Sequence, residues 1–243
     1  MEKLEKYNSK LKRHPSWITV KAPFGEKVHS LKKLMTELSL NTVCQEAKCP
    51  NMGECWSHGV ATFMILGDVC TRACGFCSVK TGKPTWNDSM EPMRTAITVK
   101  KMGLSHVVVT SVDRDDLQDD YGAEIWAETI NQIHKFVPKC TVEVLTPDFK
   151  GYFPALKKVF DSGPDLYSHN LECVERISKK VRAQANWNRS FRVLKFAKEE
   201  ITPSRDKKIH SAIRAAVPRL KPYVRDLAPL FNEITSESIN HGQ

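Results

Sequence analysis

Four short runs of β-branched and apolar residues recur along the chain: "ATFMILG" (61–67), "SHVVVTSV" (105–112), "CTVEVLTP" (140–147) and "DLYSHN" (165–170). Amphipathic helical stretches separate them. One stretch sets Trp126, Ile130, Ile133 and Val137 on a single helix face, another repeats Phe153, Leu156 and Phe160, and Ser89 and Gly103 bracket a third as start and stop. No hairpin turn joins the runs. Parallel neighbours cannot be connected by a tight turn, so this order demands an α/β fold with a parallel sheet and crossover helices. A β/α barrel and a doubly wound open sheet both satisfy it, and 243 residues, 41% of them hydrophobic, suffice to bury the core of either.

The polar residues favour the barrel. Cys70 to Cys77 follow the first run, Asp113 to Asp116 the second and Asp148 the third, while His169, Asn170 and Glu172 end the fourth. All fall at C-terminal strand ends, where barrel active sites are built. Each has a plainer use: Asp113 and Asp148 suit helix caps, and His169 suits a hydrogen-bonded core position.

Six of the eight cysteines lie between residues 44 and 77. The first residues, "MEKLEKYNSKLKRHPSW", alternate Lys with Glu and have no apolar core, and no later run is long enough to span a bilayer. A cytoplasmic protein with metal-binding cysteines is therefore expected, not a disulfide framework or a membrane protein. The formal charge of +9 favours anionic partners. Nucleic acid is not expected, because no basic run is interleaved with aromatics.

The cysteines form two groups. In "VCTRACGFCSVKTG", Cys70, Cys74 and Cys77 are spaced Cys-x3-Cys-x2-Cys. Zinc needs four protein ligands in a structural site, and no matching pair follows. Three thiolates on a [4Fe-4S] cluster would instead leave one iron open to a substrate. This spacing resembles that of the radical S-adenosylmethionine enzymes, including an aromatic residue, Phe76, before the last cysteine. The other group, "VCQEAKCPNMGECW", holds Cys44, Cys49 and Cys55 and, taken alone, suits zinc as well.

Together the groups resemble one family. From about Pro15 to Glu200 the blocks "NTVCQEAKCPNMGECW", "CTRACGFCSVKTG", "VVVTSVDRDDL", "LTPDFKG", "SHNLE" and "RSFRVLKFAKE" are similar, in order, to those of lipoyl synthase. The resemblance implies two [4Fe-4S] clusters. One, on Cys70, Cys74 and Cys77, would bind S-adenosylmethionine at its open iron and release a 5′-deoxyadenosyl radical. The auxiliary cluster, on Cys44, Cys49 and Cys55, would supply sulfur. Two sulfur atoms would enter at carbons 6 and 8 of an octanoyl-lysine on a lipoyl-carrier domain of a dehydrogenase complex or of the glycine cleavage system, with a reduced electron donor as a further partner. Phe76, Asp113, Arg114, Asp148 and Asn170 are the candidates to meet S-adenosylmethionine. Cys140 and Cys173 fall outside both groups and read as packed thiols.

The resemblance stops after "KFAKEE". The family continues with further strands and an Arg-Ser-Ser-Tyr motif whose serine ligates the auxiliary cluster, whereas this chain continues "ITPSRDKKIHSAIRAAVPRLKPYVRDLAPLFNEITSESINHGQ". That segment lacks strand-like alternation; Ile209 and Ile213 suit a short helix, and Ser236 or Ser238 lacks the motif's context. The expected organisation is a cysteine-bearing extension (1–58), an incomplete β/α TIM-like barrel of the radical S-adenosylmethionine type that ends at its fourth strand (59–200), and an atypical tail (201–243). Impaired turnover is expected to follow. Two rivals have other signatures: an iron-sulfur electron carrier or scaffold, with clusters fully ligated by cysteine, and a zinc-dependent nucleic-acid module, which this spacing does not fit.

Overall fold

The computed structural model describes residues 26–47 and 49–201. The expected tail from residue 202, with Ile209, Ile213, Ser236 and Ser238, lies outside the described residues, as does the chain before residue 26.

Helix α1 (Glu26–Glu37) leads to strand β1 (Asn41–Thr42), then to two short helices, α2 (Val43–Glu46) and α3 (Met52–Ser57), that carry the first cysteine group. Strand β2 (Val60–Ile65) opens the repeat. After it come a small ladder of β3 (Val69–Cys70) and β4 (Lys80–Thr81), then α4 (Glu91–Met102), β5 (His106–Ser111), α5 (Ala123–Phe136), β6 (Thr141–Leu145), α6 (Phe153–Asp161) and β7 (Leu166–Ser168). Helices α7 (Glu175–Val181) and α8 (Trp187–Ile201) complete the described chain.

The main sheet has the order β1-β2-β5-β6-β7. β2, β5, β6 and β7 are parallel and in sequence order, which is the expected α/β arrangement of an incomplete barrel with four parallel strands. The hydrophobic alternation explains which face is sealed. Val107, Val109, Val142 and Val144 are fully buried, whereas their neighbours Val108, Thr110, Glu143 and Leu145 are half-buried. The first set meets α4, α5 and α6, which pack one on the next, with Val99, Trp126, Ile130, Ile133 and Leu156 fully buried. Each such aliphatic side chain contributes about 1.5–3 kcal/mol by leaving water. The other, concave face stays partly open.

Local signals place the elements. α4 begins at Glu91 after a Met90 N-cap, one residue later than the Ser89 cap expected from sequence, because Asp88 accepts from the Met90 N–H (2.9 Å) and Pro92 favours the first turn. It ends where Gly103 takes φ 63°, a left-handed cap that glycine adopts without strain. The predicted face of α5 is buried at Trp126, Ile130 and Ile133, whereas Val137 lies just past the helix as its C-cap and is only partly buried. Phe153 and Phe160 instead pack against Phe196 of α8, at ring distances of 4.8 and 6.1 Å, which ties α8 to the barrel.

Residues on either side of position 58 share one sheet and one core. β1 adds antiparallel to β2 (Asn41 opposite Met64, Thr42 opposite Phe63), and Met35, Met52 and Trp56 join the same core as the barrel. Neither this edge strand nor the β3–β4 ladder has enough alternation to be seen in sequence.

Candidate functional site

The loop after β2 carries Cys70, Cys74 and Cys77 across the C-terminal ends of the strands. It is fixed on three sides. Thr71 N–H and Oγ1 both donate to Asp113 O (3.0 and 2.9 Å), Gly82 N–H donates to Cys70 O (2.9 Å), and Gly75 N–H donates to Val181 O (2.8 Å). Ala73 N–H also donates to the Gln184 side chain (3.0 Å), so the Val181–Gln184 segment clamps the loop from outside.

Beneath the loop is a buried ion cluster. The Arg72 side chain, 3% exposed, donates to Asp115 from Nε (2.9 Å) and Nη2 (2.8 Å), donates to Asp148 Oδ1 (2.7 Å) and pairs with Asp113 (3.2 Å). Burial pushes the Asp113 carboxyl up to about 6 against the pull of Arg72. Burial pushes Asp148 up as well, but the Arg72 hydrogen bond and the charges of Arg72 and Arg189 outweigh it and leave that carboxyl below its ordinary range. Asp148 also accepts from Lys150 N–H (3.0 Å), so the same carboxylate caps a turn and joins the ion cluster.

These strand ends enclose a solvent-open cleft. Cys74, Phe76, Cys77, Asp113, Asp148 and Asn170 line it, which brings together most of the residues singled out from sequence. Phe76 is 54% exposed at its mouth. Arg114 is placed elsewhere, contrary to expectation. It is buried with its fork on Asp116 (2.9 Å from both Nε and Nη2), and Nη1 donates to Leu66 O and Trp86 O, so it ties the β5 end to the chain before α4.

The donor chemistry suits a thiolate-bound cluster. Cys70 Sγ accepts from the Arg72 and Asp113 N–H groups (3.4 and 3.3 Å), the kind of bond that stabilises a ligating thiolate. Burial pushes the Cys74 thiol up, opposed by the Arg182 charge beside it. In the first group, burial and then the charges of Cys44 and Cys49 push Cys55 up, so these three thiols lie within electrostatic reach of one another. No three His, Cys, Asp or Glu side chains among the described residues converge on a single-ion centre. A [4Fe-4S] cluster takes one thiolate per iron, so its sulfur ligands stand farther apart than those of a single ion, though they still surround one centre.

The cleft also asks for a polar occupant. Eight buried side-chain polar atoms among the described residues have no hydrogen-bond partner, and four of them belong to residues lining this cleft: Asp148 Oδ2, which is met by an ion pair with Arg189 Nε (3.3 Å), and Ser111 Oγ, His169 Nε2 and Arg182 Nε. Buried polar atoms are normally satisfied, so several exceptions in one place suit a site that takes a polar occupant. Burial pushes the His169 imidazole below its ordinary range, and its Nδ1 lies 2.9 Å from Thr146 O.

Residues 64–210 match the radical SAM superfamily, over more than half of the sequence. The chain belongs to the radical SAM superfamily. Residues 1–49 match the N-terminal domain of lipoyl synthase of that family. The lipoyl synthase of Rubrobacter xylanophilus is 55% identical over 185 residues, which cover 76% of this chain and 57% of that protein. Those of Flavobacterium johnsoniae (49% over 186 residues, 76% and 64% covered) and Oceanobacillus iheyensis (51% over 188 residues, 77% and 60% covered) are similar to the same extent. The chain thus spans about three fifths of the length of these relatives. The crystal structure of methylornithine synthase superposes with a TM-score of 0.45 at 15% identity, covering 70% of this chain and 52% of that one. The sequence resemblance to lipoyl synthase is borne out by these matches.

Within the radical SAM frame, sequence reading missed Arg72 and Arg182. Arg72 had a usable signal, a cation inside the cysteine spacing with acidic residues at the next two strand ends. Arg182 had none, because it ends an ordinary basic run, "SKKVR". No helix among the described residues is long and apolar enough to cross a membrane.

Proposed function

We propose that this radical SAM protein performs the lipoyl synthase reaction, placing two sulfur atoms on the octanoyl chain of a lysine carried by a lipoyl-carrier protein. The observation that carries the reading is the cleft itself: the cysteine loop of β2, the carboxylates after β5 and β6 and the polar end of β7 face one space with unmatched polar atoms. The names of the relatives supply the reaction.

Cys70, Cys74 and Cys77 would hold the radical cluster, and Cys44, Cys49 and Cys55 the auxiliary one. The bound radical cluster supplies the electron that cleaves S-adenosylmethionine. The chain's own residues do the holding. The Cys70 sulfur is fixed by two N–H donors, Arg72 neutralises carboxylates below the loop, and Asp113, Asp148 and Asn170 offer acceptors and donors for an amino, carboxylate or ribose group. Phe76 covers the mouth with apolar surface. The net positive charge suits an acidic carrier domain, and the reaction also needs a reduced electron donor. We place the reaction in the cytoplasm.

Anaerobic loading with iron and sulfide should give close to two clusters per chain, 5′-deoxyadenosine on reduction with S-adenosylmethionine, and lipoyl-lysine on an octanoylated carrier domain. Two clusters and 5′-deoxyadenosine without any sulfur insertion would refute the lipoyl synthase reading. Absence of 5′-deoxyadenosine would refute the radical reading for this chain.

A further inference from the structure

We infer that Glu91 is a positioning residue for the radical cluster, its carboxylate holding the turn between β2 and the cysteine loop in a conformation the backbone would not keep alone. The inference rests on the cofactor assignment made above and concerns a residue outside the cleft. Leu66, 3% exposed, has φ 68° and Gly67 has φ 90°, two left-handed residues in succession at the end of β2. Glycine adopts such angles freely, whereas leucine is strained there and keeps them only where its surroundings over-determine them. Asp68 and Val69 alone separate this turn from Cys70, so the turn aims the first ligand of the loop.

The surroundings do over-determine it. From the start of α4, the Glu91 side chain accepts from the Leu66 N–H at Oε2 (2.7 Å) and from the Gly67 N–H at Oε1 (3.3 Å). Burial pushes the Glu91 carboxyl up, opposed first by those two N–H groups. From the end of β5, Arg114 Nη1 donates to Leu66 O (3.3 Å). At the start of α5, Gly122 lets the Leu66 side chain close in, since a Cβ there would stand 2.6 Å from Leu66 Cδ1. Contacts from α4, β5 and α5 thus converge on one strained residue. The two Glu91 bonds are the charge-assisted ones and therefore the strongest of the set. Arg94, on the same turn of α4, is the contrast: it pairs with Asp88 and its Nε donates to Leu38 O (2.9 Å), so it ties the helix to the chain before β1 and not to this turn.

Without its carboxylate acceptor, Leu66 is free to leave the left-handed region and redirect Cys70 relative to the strand ends. Binding that needs the original turn then weakens in proportion to the fraction of chains that retain it. The cluster-loaded protein is titrated anaerobically with S-adenosylmethionine, with iron content, Tm and the electron paramagnetic resonance spectrum of the reduced cluster recorded alongside. Glu91→Gln, whose amide NH2 opposes one of the two N–H donors, should keep the iron, weaken binding on the order of tenfold and blur the spectral change that S-adenosylmethionine produces. Arg114→Gln, which loosens the same turn from its carbonyl side, should move both readouts in the same direction. Arg94→Gln should lower Tm and leave both unchanged. If Glu91→Gln does not fold, Arg114→Gln against Arg94→Gln decides by the same readouts. Unchanged affinity and spectrum in the turn variants would overturn the positioning role while leaving the cofactor reading intact. Equal losses in Arg94→Gln would show a general loss of stability and would overturn it as well. Failure of the unaltered, loaded protein to bind S-adenosylmethionine would overturn both.

Discussion

Replacing Arg72 by Met tests whether the ion cluster beneath the cysteine loop is as buried as the geometry indicates. The Arg72 side chain is 3% exposed and that of Asp148 only 1%, while Asp115 and Asp113 are 17% and 22% exposed. Breaking a buried pair by removing one partner costs about 3–5 kcal/mol, because the remaining charge keeps its desolvation penalty without its Coulombic return. Asp148 bears most of that loss. Asp113 escapes part of it by taking up a proton, since burial already pushes it up to about 6 with Arg72 present. Arg72→Met should therefore lose about 3 kcal/mol at neutral pH and lower Tm by on the order of 10 °C. Urea and thermal unfolding of the cluster-free chain under reducing conditions measure this without iron chemistry. Adding Asp148→Asn should recover more than about 1 kcal/mol by removing the stranded charge, though not all, because Arg189 then loses its partner. A loss below about 1 kcal/mol for the single change, or no recovery in the double, would mean that the cluster is solvated and the argument fails.

Other expectations follow from sites away from the cysteine loop. Glu143 is held below its ordinary range by its hydrogen bond from His106, against burial and with help from Ser168. A carboxyl with a depressed native pKa stabilises fully above its unfolded value, about 4.3, and loses that contribution as pH falls through the folded value. Glu143→Gln should thus cost about 1 kcal/mol at pH 7 and nearly nothing at acid pH, by denaturant titration at both. Burial, reinforced by Asp165, pushes the Cys140 thiol up to about 11, so it is neutral at pH 8. Alkylation of the native chain should spare it, as mass mapping would show, and Cys140→Ala should leave the iron content unchanged. Gly122 takes φ 84° and a Cβ there would sit 2.6 Å from Leu66 Cδ1, so Gly122→Ala should cost about 1–2 kcal/mol or more in thermal unfolding.

The parallel frame was legible because each strand and helix declares itself locally: Val107, Val109, Val142 and Val144 alternate, and Trp126, Ile130 and Ile133 recur at helical spacing. The strand-end rule then placed Asp113, Asp148 and Asn170 around the cysteine loop, since a parallel repeat puts all such ends on one side. What stayed hidden depends on side-chain direction and long-range partners. Arg114 and Asp113 are adjacent in sequence, yet one faces the cleft and the other turns to Asp116 and the carbonyls of Leu66 and Trp86. Periodicity does not report that divergence outside a regular strand. Arg182 is 108 residues from Cys74, so only the folded chain brings them together. The two-residue strand β1 was invisible for a third reason: its pairing with Met64 and Phe63 is made by backbone groups that any residue carries.

The partly open concave face predicts a specific asymmetry between two adjacent residues of identical type. Val108 and Val109 share β5, and their side chains point to opposite faces because strand residues alternate. Val109 is fully buried against the helices, while Val108 is half-buried on the concave side. Truncation to Ala removes two methyl groups in each case. At Val109 this forfeits about 1.5 kcal/mol of transfer energy plus a cavity contribution, because the packed helices relax only in part. At Val108 the lost area was only partly dry and the space left is open to water, so the cost should stay below about 1 kcal/mol. Val109→Ala should therefore exceed Val108→Ala by at least about 1 kcal/mol in denaturant unfolding. Equal, large costs would show that the concave face is sealed in solution. In that case the cleft would be narrower than the described residues make it.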